Sequence, residues 1–336
     1  MSRGLIGRRS LLVGGLTAGL AARRPARAQQ RPWRIMMITW RGWEDACQGF
    51  ADFFSERNVP VELVLRDAGQ SPAMVTRHVA EAKETRPDLV YLWGTTTAMV
   101  ALGPYDAVDP TIHLADEIPA VFNIVTEPVW NKIVPSLERP SRRATGTLYI
   151  TAMAQQLATL ATYRPFRSIG ITYSPIEGNS RAVVELLGQE ARRTGFELID
   201  RPVPLDDAGK PIAAALPAKV AEIARAGAEW LYIAPDTFLN GNKLPLTQAA
   251  LDAGLPSFTS TEPYILQAHA LFGLVSRYYA VGQFTAFKAE QILNGVEPAS
   301  IPVEPLARFS LIVNVQTAKR LEFYPPLSLL RFAETV

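Results

Sequence analysis

One cysteine and three histidines stand in 336 residues. The lone thiol, Cys47, closes no internal disulfide, and a chain of this length can bury a sufficient core without one. His78, His113 and His269 fall apart from one another on segments read as helix or loop, so no spaced metal-ligand set exists. No metal and no cofactor are expected. The Gly-x-Ser-x-Gly elbow, the Walker phosphate loop, the Gly-x-Gly-x-x-Gly fingerprint and His-Glu-x-x-His are all missing. Glu127 and Glu262 are the one carboxylate pair that invites acid–base chemistry, and nothing beside either supplies a nucleophile or electrophile. The chain is read as a non-enzyme.

Basic runs are missing too, once the charge is divided. The net charge of +2 comes from 34 basic and 32 acidic side chains, but Arg3, Arg8, Arg9, Arg23, Arg24 and Arg27 precede any acid. Without those six, 28 bases face 32 acids, a net of −4. Nothing tracks a phosphate backbone, so no nucleic-acid partner is expected.

What is present begins with the leader. "GRRSLLVGGLTAGLAARRPARA" has a charged start, an apolar stretch from Leu11 to Ala22 too short to span a bilayer, and a small-x-small end at Ala26-Arg27-Ala28. Residues 1–28 read as an export signal cleaved near Ala28. Arg8-Arg9-Ser10-Leu11-Leu12 resembles a twin-arginine signal, and a general secretory signal carrying paired arginines fits the same residues. No later apolar stretch reaches spanning length, so the mature chain is expected in the periplasm, soluble and monomeric.

The body alternates strand and helix signals. Strands are expected at 34–40, in "VELVLRDAG", and at 88–94, 120–125 and 146–150. Ser71-Pro72 opens a helix as cap and first-turn proline. The second half repeats the order: strand 168–174, helix Asn179 to Thr194, strand "FELIDRPV", helix Ala214 to Ala226, strand 229–236, then "PSFTST". This alternation implies α/β lobes with parallel sheets covered on both faces. "RPDLVYLWGTT" (86–96) matches "GAEWLYIAPDT" (227–237) in type, and Thr126-Glu127-Pro128 recurs as Thr261-Glu262-Pro263, 135 positions on. Two similar lobes follow, each placing one such corner at the carboxyl ends of its strands, where open parallel sheets bind ligands.

Candidate contacts sit at those ends. Gly94 and the amides and hydroxyls of Thr95, Thr96 and Thr97 open a helix and suit a carboxylate, as does the helix capped by Asn179 or Ser180. Asp236, followed by Thr237, suits a ligand amine or caps its own turn. Thr126, Glu127 and Glu262 lie at the two corners, the glutamates as amine or hinge acceptors. Trp40 and Tyr173 end equivalent strands and are placed to sandwich an apolar or aromatic group, with Arg41 ready to pair a carboxylate.

Long ordered motifs add a resemblance. "YSPIEGNSRA" (173–182), "LYIAPDTF" (231–238), "FGLVSRYYAVGQFTAFKAEQILNGVEPASIPVE" (272–304) and "LIVNVQTAKRLEFYPPLSLLRFAE" (311–334) resemble the ABC-transporter substrate-binding protein family that includes tryptophan- and phenylalanine-binding proteins. The resemblance implies a type I periplasmic-binding fold with three crossovers. Lobe one is then 31–148 plus 278–298, and lobe two 149–277 plus 299–336. Thr126-Glu127-Pro128 departs from the family's usual Thr-Asp-Pro, and "PYILQAHALF" (263–272) is more aromatic than usual.

The expected function is an exported solute-binding protein of an ABC importer, closing by a hinge on a small carboxylate or amino-acid-like ligand, an aromatic one included, and passing it to a membrane permease. A ligand sensor feeding a receptor and an exported enzyme on the same scaffold are the alternatives. A repressor of the same fold class is disfavoured, because the leader reads as an export signal and offers no helix-turn-helix segment.

Overall fold

A computed structural model describes residues 31–114 and 117–336. The export signal and its cleavage site, expected over residues 1–28, lie outside the described residues. No described helix is long and apolar enough to cross a membrane.

The first half runs β1 (Trp33–Thr39), α1 (Asp45–Glu56), β2 (Val61–Asp67), α2 (Pro72–Thr85), β3 (Leu89–Trp93), α3 (Thr95–Leu102), β4 (Ala120–Asn123) and β5 (Ala144–Leu148). The second half runs α4 (Met153–Tyr163), β6 (Ser168–Tyr173), α5 (Gly178–Thr194), β7 (Glu197–Pro202), α6 (Leu216–Arg225), β8 (Trp230–Ile233), α7 (Thr237–Gly241), α8 (Lys243–Asp252), β9 (Ser257–Thr261), α9 (Pro263–Leu266) and β10 (Phe272–Ser276). A closing segment adds α10 (Tyr278–Leu293), β11 (Glu304–Pro305), β12 (Ser310–Val313), α11 (Val315–Arg320), α12 (Leu327–Leu330) and β13 (Glu334–Thr335).

The strands form two sheets, in the orders β11-β5-β4-β3-β1-β2 and β13-β12-β10-β9-β8-β6-β7. Stripped of β11, β12 and β13, each reads second-first-third-fourth-fifth, one doubly wound order written twice. All neighbours within these five-strand units are parallel, as in Ile35↔Leu89 and Ile169↔Trp230. Only β10 and β12 run antiparallel. Strands buried on both faces need unbroken apolar or small residues, and "LVYLW" and "FGLVS" are buried throughout. The fourth strand of each unit leads into its Thr-Glu-Pro corner, so the two corners are structural equivalents.

The chain passes between sheets three times: from β5 to β6, from β10 to α10, and from β11 to β12. Helix α10 packs on α1, β4 and β5. The first of those contacts is backbone against backbone. A Cβ on Gly49 would stand 2.0 Å from the Tyr279 carbonyl, and one on Gly282 would stand 2.0 Å from that of Ala46. Cys47 on the inner face of α1 is fully buried. Ser71 Oγ accepts from the Met74 amide at 3.4 Å, with Pro72 in the first turn, so α2 starts as its sequence predicts. One apolar core surrounds the first sheet, and two flank the second.

Candidate functional site

The carboxyl ends of both sheets converge on a cavity of about 40 Å3. It lies at the reversal in strand order, where the turns after β1 and β3 diverge and those after β6 and β8 face them. Trp40, Arg41, Trp93, Gly94, Thr95, Thr96, Ile124 and Tyr149 line it from the first half. Asn179, Pro235, Asp236, Thr237, Asn240, Thr261 and Tyr264 line it from the second, and Tyr278 from the start of α10.

The first wall carries an open helix N-terminus. Gly94 takes φ +94° before α3, a region that costs a residue with a Cβ. Among the described residues, no acceptor partners the amides of Thr95, Thr96 and Thr97, the usual orphan donors of a helix start. Thr95 Oγ1 accepts from the Thr126 amide at 2.9 Å, which braces that start against the first corner. Arg41 stands beside it, its guanidinium 4.9 Å above the Trp93 ring and its Nε 2.5 Å from Glu44 Oε1. Burial disfavours the Arg41 charge, but Glu44 outweighs it and the proton is held more tightly than usual. With the Asn240 amide oriented oxygen-first, it accepts from Arg41 at 2.9 and 3.1 Å, a bond between the two walls.

The second wall fills its equivalent helix start with its own acids. Asp236 caps α7, its Oδ1 accepting from the Leu239 amide at 2.8 Å. Its Oδ2 accepts from the Ser174 amide at 2.8 Å and from Ser180 Oγ at 2.6 Å. Glu177 takes the first two amides of α7, Thr237 at 2.8 Å and Phe238 at 2.9 Å. Burial first, and the Glu177 charge second, push the Asp236 carboxyl up to about 7, against the three hydrogen bonds that favour its charged form. A carboxylate offers about four lone-pair directions, so three accepted bonds leave this cavity-lining carboxyl some acceptor capacity.

Aromatic rings complete the enclosure. Tyr149 and Tyr278 meet edge to face at 5.8 Å, and Tyr149 Oη lies 2.8 Å from Thr126 Oγ1. Trp40 and Trp93 lie on one side and Tyr264 opposite. Arg41, Asn240 and Tyr278 also line a recess of about 290 Å3 with Trp43, Lys243, Glu262 and Leu266, so these three side chains partition the cavity from it.

Of the residues singled out from sequence, Trp40, Arg41, Gly94, Thr95, Thr96, Asn179, Asp236 and Thr237 lie on the cavity wall. Six do not. Thr97 turns into the lobe, fully buried. Thr126 stands behind the wall holding Tyr149, and Ser180 behind it holding Asp236. Glu127 turns aside at φ +45°, and burial raises its carboxyl. Tyr173 faces the neighbouring strand, Oη 3.4 Å from Asp200 Oδ2, so it forms no sandwich with Trp40. Glu262 lines the outer recess and accepts from the Tyr278 amide at 2.8 Å and from Arg277 at 3.4 Å. Neither Asn179 nor Ser180 caps α5: it starts at Gly178, and Asn179 Nδ2 donates to the Pro235 carbonyl at 2.7 Å. Sequence reasoning missed Trp93, Tyr149, Asn240, Tyr264 and Tyr278. The aromatic excess of 263–272 marks Tyr264, but nothing local marks Tyr278, which enters only because α10 returns to the cleft.

A family model described as ABC transporter substrate binding protein matches residues 37–336. A curated relative from Clostridioides difficile strain R20291, called a tyrosine-binding protein, is 24% identical over 86% of this chain and 75% of its own. The solved structure of a conserved domain protein from Vibrio cholerae is 24% identical, with TM-score 0.77, over 91% of this chain and 99% of that one. Another, an ABC domain from Streptococcus pneumonia in complex with L-Trp, is 20% identical with TM-score 0.74, over 90% and 99%.

Proposed function

The chain belongs to the ABC transporter substrate binding protein family, and we propose that it captures an aromatic α-amino acid between its lobes for an ABC importer. One observation carries this reading: an open helix start with Arg41 on one wall faces a buried, cavity-lining aspartate on the other, and five aromatic rings enclose the space. The α3 amides and Thr96 hydroxyl take the carboxylate, supported by Arg41. Asp236 takes the ammonium group. The rings take the side chain by burial and edge contacts. The relatives named for tyrosine and L-Trp agree with that chemistry.

The mechanism is hinge closure. A ligand that touches both walls stabilises the arrangement in which they meet, and the membrane permease recognises that arrangement. The sequence division, 31–148 plus 278–298 and 149–277 plus 299–336, moves by a few residues: β11 pairs with β5, so the first lobe takes 278–305 and the second resumes at 306. An export signal over residues 1–28, twin-arginine in pattern, places the mature, monomeric chain in the periplasm. Affinity is expected near micromolar, about 8 kcal/mol.

A thermal-shift screen of the chain from Gln29 onward against the common amino acids, aromatic acids, short peptides and dicarboxylates tests this. A ligand that binds only the folded state raises the midpoint by mass action. Stabilisation by tyrosine, tryptophan or phenylalanine, recovered unchanged, is the expected outcome. Stabilisation confined to dicarboxylates or peptides, or consumption of the ligand, defeats it.

A further inference from the structure

Away from the ligand cavity, the walls also meet at a second place. Gly178, the first residue of α5 on the second lobe, faces Asn131 and Met99 of the first. A Cβ built on Gly178 stands 3.0 Å from Asn131 Oδ1, 3.7 Å from Met99 Sδ and 3.9 Å from Met99 Cε. Gly178 is not on the cavity wall, and its φ is not positive, so backbone conformation does not demand a glycine there. The close approach favours one, because a Cβ 3.0 Å from Asn131 Oδ1 needs Asn131 to give by a few tenths of an ångström.

Asn131 is held in place. Its Nδ2 donates to the Thr126 carbonyl at 2.8 Å and to the Glu127 carbonyl at 3.1 Å, and its own amide donates to Glu127 at 2.9 Å. The side chain is 7% exposed, and its Oδ1 has no partner. Swinging it away from α5 breaks two bonds that pin a strained loop. Ile124, on the cavity wall, and Glu127 both adopt left-handed φ, at +52° and +45°, and for the β-branched Ile124 this is an outlier. The same loop braces the α3 start and Tyr149 through Thr126. A rigid, acceptor-tipped knob on one lobe therefore meets a residue without a side chain on the other.

We propose that Gly178 sets ligand affinity from outside the cavity, by letting α5 seat on Asn131 and Met99 when the lobes close. This rests on the hinge-closure reading above. A methyl at this position crowds Asn131 on closure, and Asn131 gives the few tenths of an ångström needed only by straining its two bonds to the loop that carries Ile124 and the α3 brace. The same methyl helps the free protein, because alanine is a better helix former than glycine. The two effects have opposite signs, which separates the proposal from ordinary misfolding.

The test compares wild type, Gly178→Ala and Gly178→Val by calorimetric titration, thermal midpoint and small-angle scattering, with a pool of the common L-amino acids as probe and L-tryptophan and L-tyrosine singly. Wild type is expected to contract on ligand addition. Gly178→Ala is expected to keep or raise the ligand-free midpoint, weaken binding at least tenfold and contract less at matched ligand, and Gly178→Val to lose more. Wild-type affinity and contraction in Gly178→Ala overturn the role of Gly178 and leave hinge closure standing. A wild type that does not contract overturns hinge closure, and this inference with it.

Discussion

Lobe one and lobe two share a strand order, yet they treat the same corner in opposite ways. After the third strand of lobe one, Gly94 introduces α3 and leaves its first amides without acceptors. After the third strand of lobe two, Asp236 and Glu177 take three amides of α7. A helix start carries partial positive charge. Left open it favours an anion; filled with two acids it favours a cation. A duplicated scaffold can therefore hold both ends of a zwitterion without inventing a second architecture, by changing which residue caps one helix.

Breaking the second lobe's half of this comparison gives the largest expected effect. Asp236→Asn removes the charge proposed to meet the ammonium group, and titration with L-tryptophan or L-tyrosine should show a loss on the order of a hundredfold, about 3 kcal/mol. Unchanged affinity would show that lobe two holds no cation. Arg41→Ala breaks the first lobe's half less completely, because the α3 amides remain; a loss of roughly tenfold is expected. Arg41→Lys should recover little of it, since a point charge cannot reproduce the forked donation to Asn240 and a carboxylate.

The pH dependence sharpens the contrast. The Asp236 carboxyl is raised to about 7 in the folded chain, from an ordinary value of 3.8. A raised acid favours folding while protonated, so its contribution is fully present below the unfolded value and is lost as pH climbs through the folded one. Ligand-free thermal midpoints should fall between about pH 4 and about pH 7, less so in Asp236→Asn. Affinity for an ammonium ligand should move the other way, strengthening across the same window as Asp236 ionises. A wild-type slope retained in full by Asp236→Asn would place the titrating group elsewhere. The smallest effect belongs to Glu177→Gln. Removing that charge relaxes one cause of the raised Asp236 value, so the binding midpoint should shift toward acid, read from the same titrations.

The fold was legible because its signals are local and repeated. Apolar strand runs, Ser71-Pro72 and the two Thr-Glu-Pro corners each act within a few residues, and the two similar halves they mark fold into sheets with the same strand order. The site was legible where a strand end leads straight into a helix, as at Trp40, Gly94 and Asp236. It was obscure where side-chain direction decides: Tyr173 ends the strand equivalent to Trp40's but faces β7. It was also obscure where distant segments supply the wall. Tyr278 joins through the returning helix α10, and Asn240 reaches Arg41 from three residues beyond α7's first turn opening. Glu177 reads as an exposed loop acid, and only the approach of α5 to α7 shows that it is a helix cap.

The most direct measurement titrates the protein with L-tryptophan, tryptamine and indole-3-propionate, and with the corresponding tyrosine set. These remove in turn the carboxylate and the ammonium group while keeping the ring. Only the intact amino acids should bind well, with each truncated analogue weaker by about tenfold or more, and Asp236→Asn should abolish the preference for the amine. An analogue lacking either group that binds as tightly as its parent amino acid would contradict the two-walled division of charge.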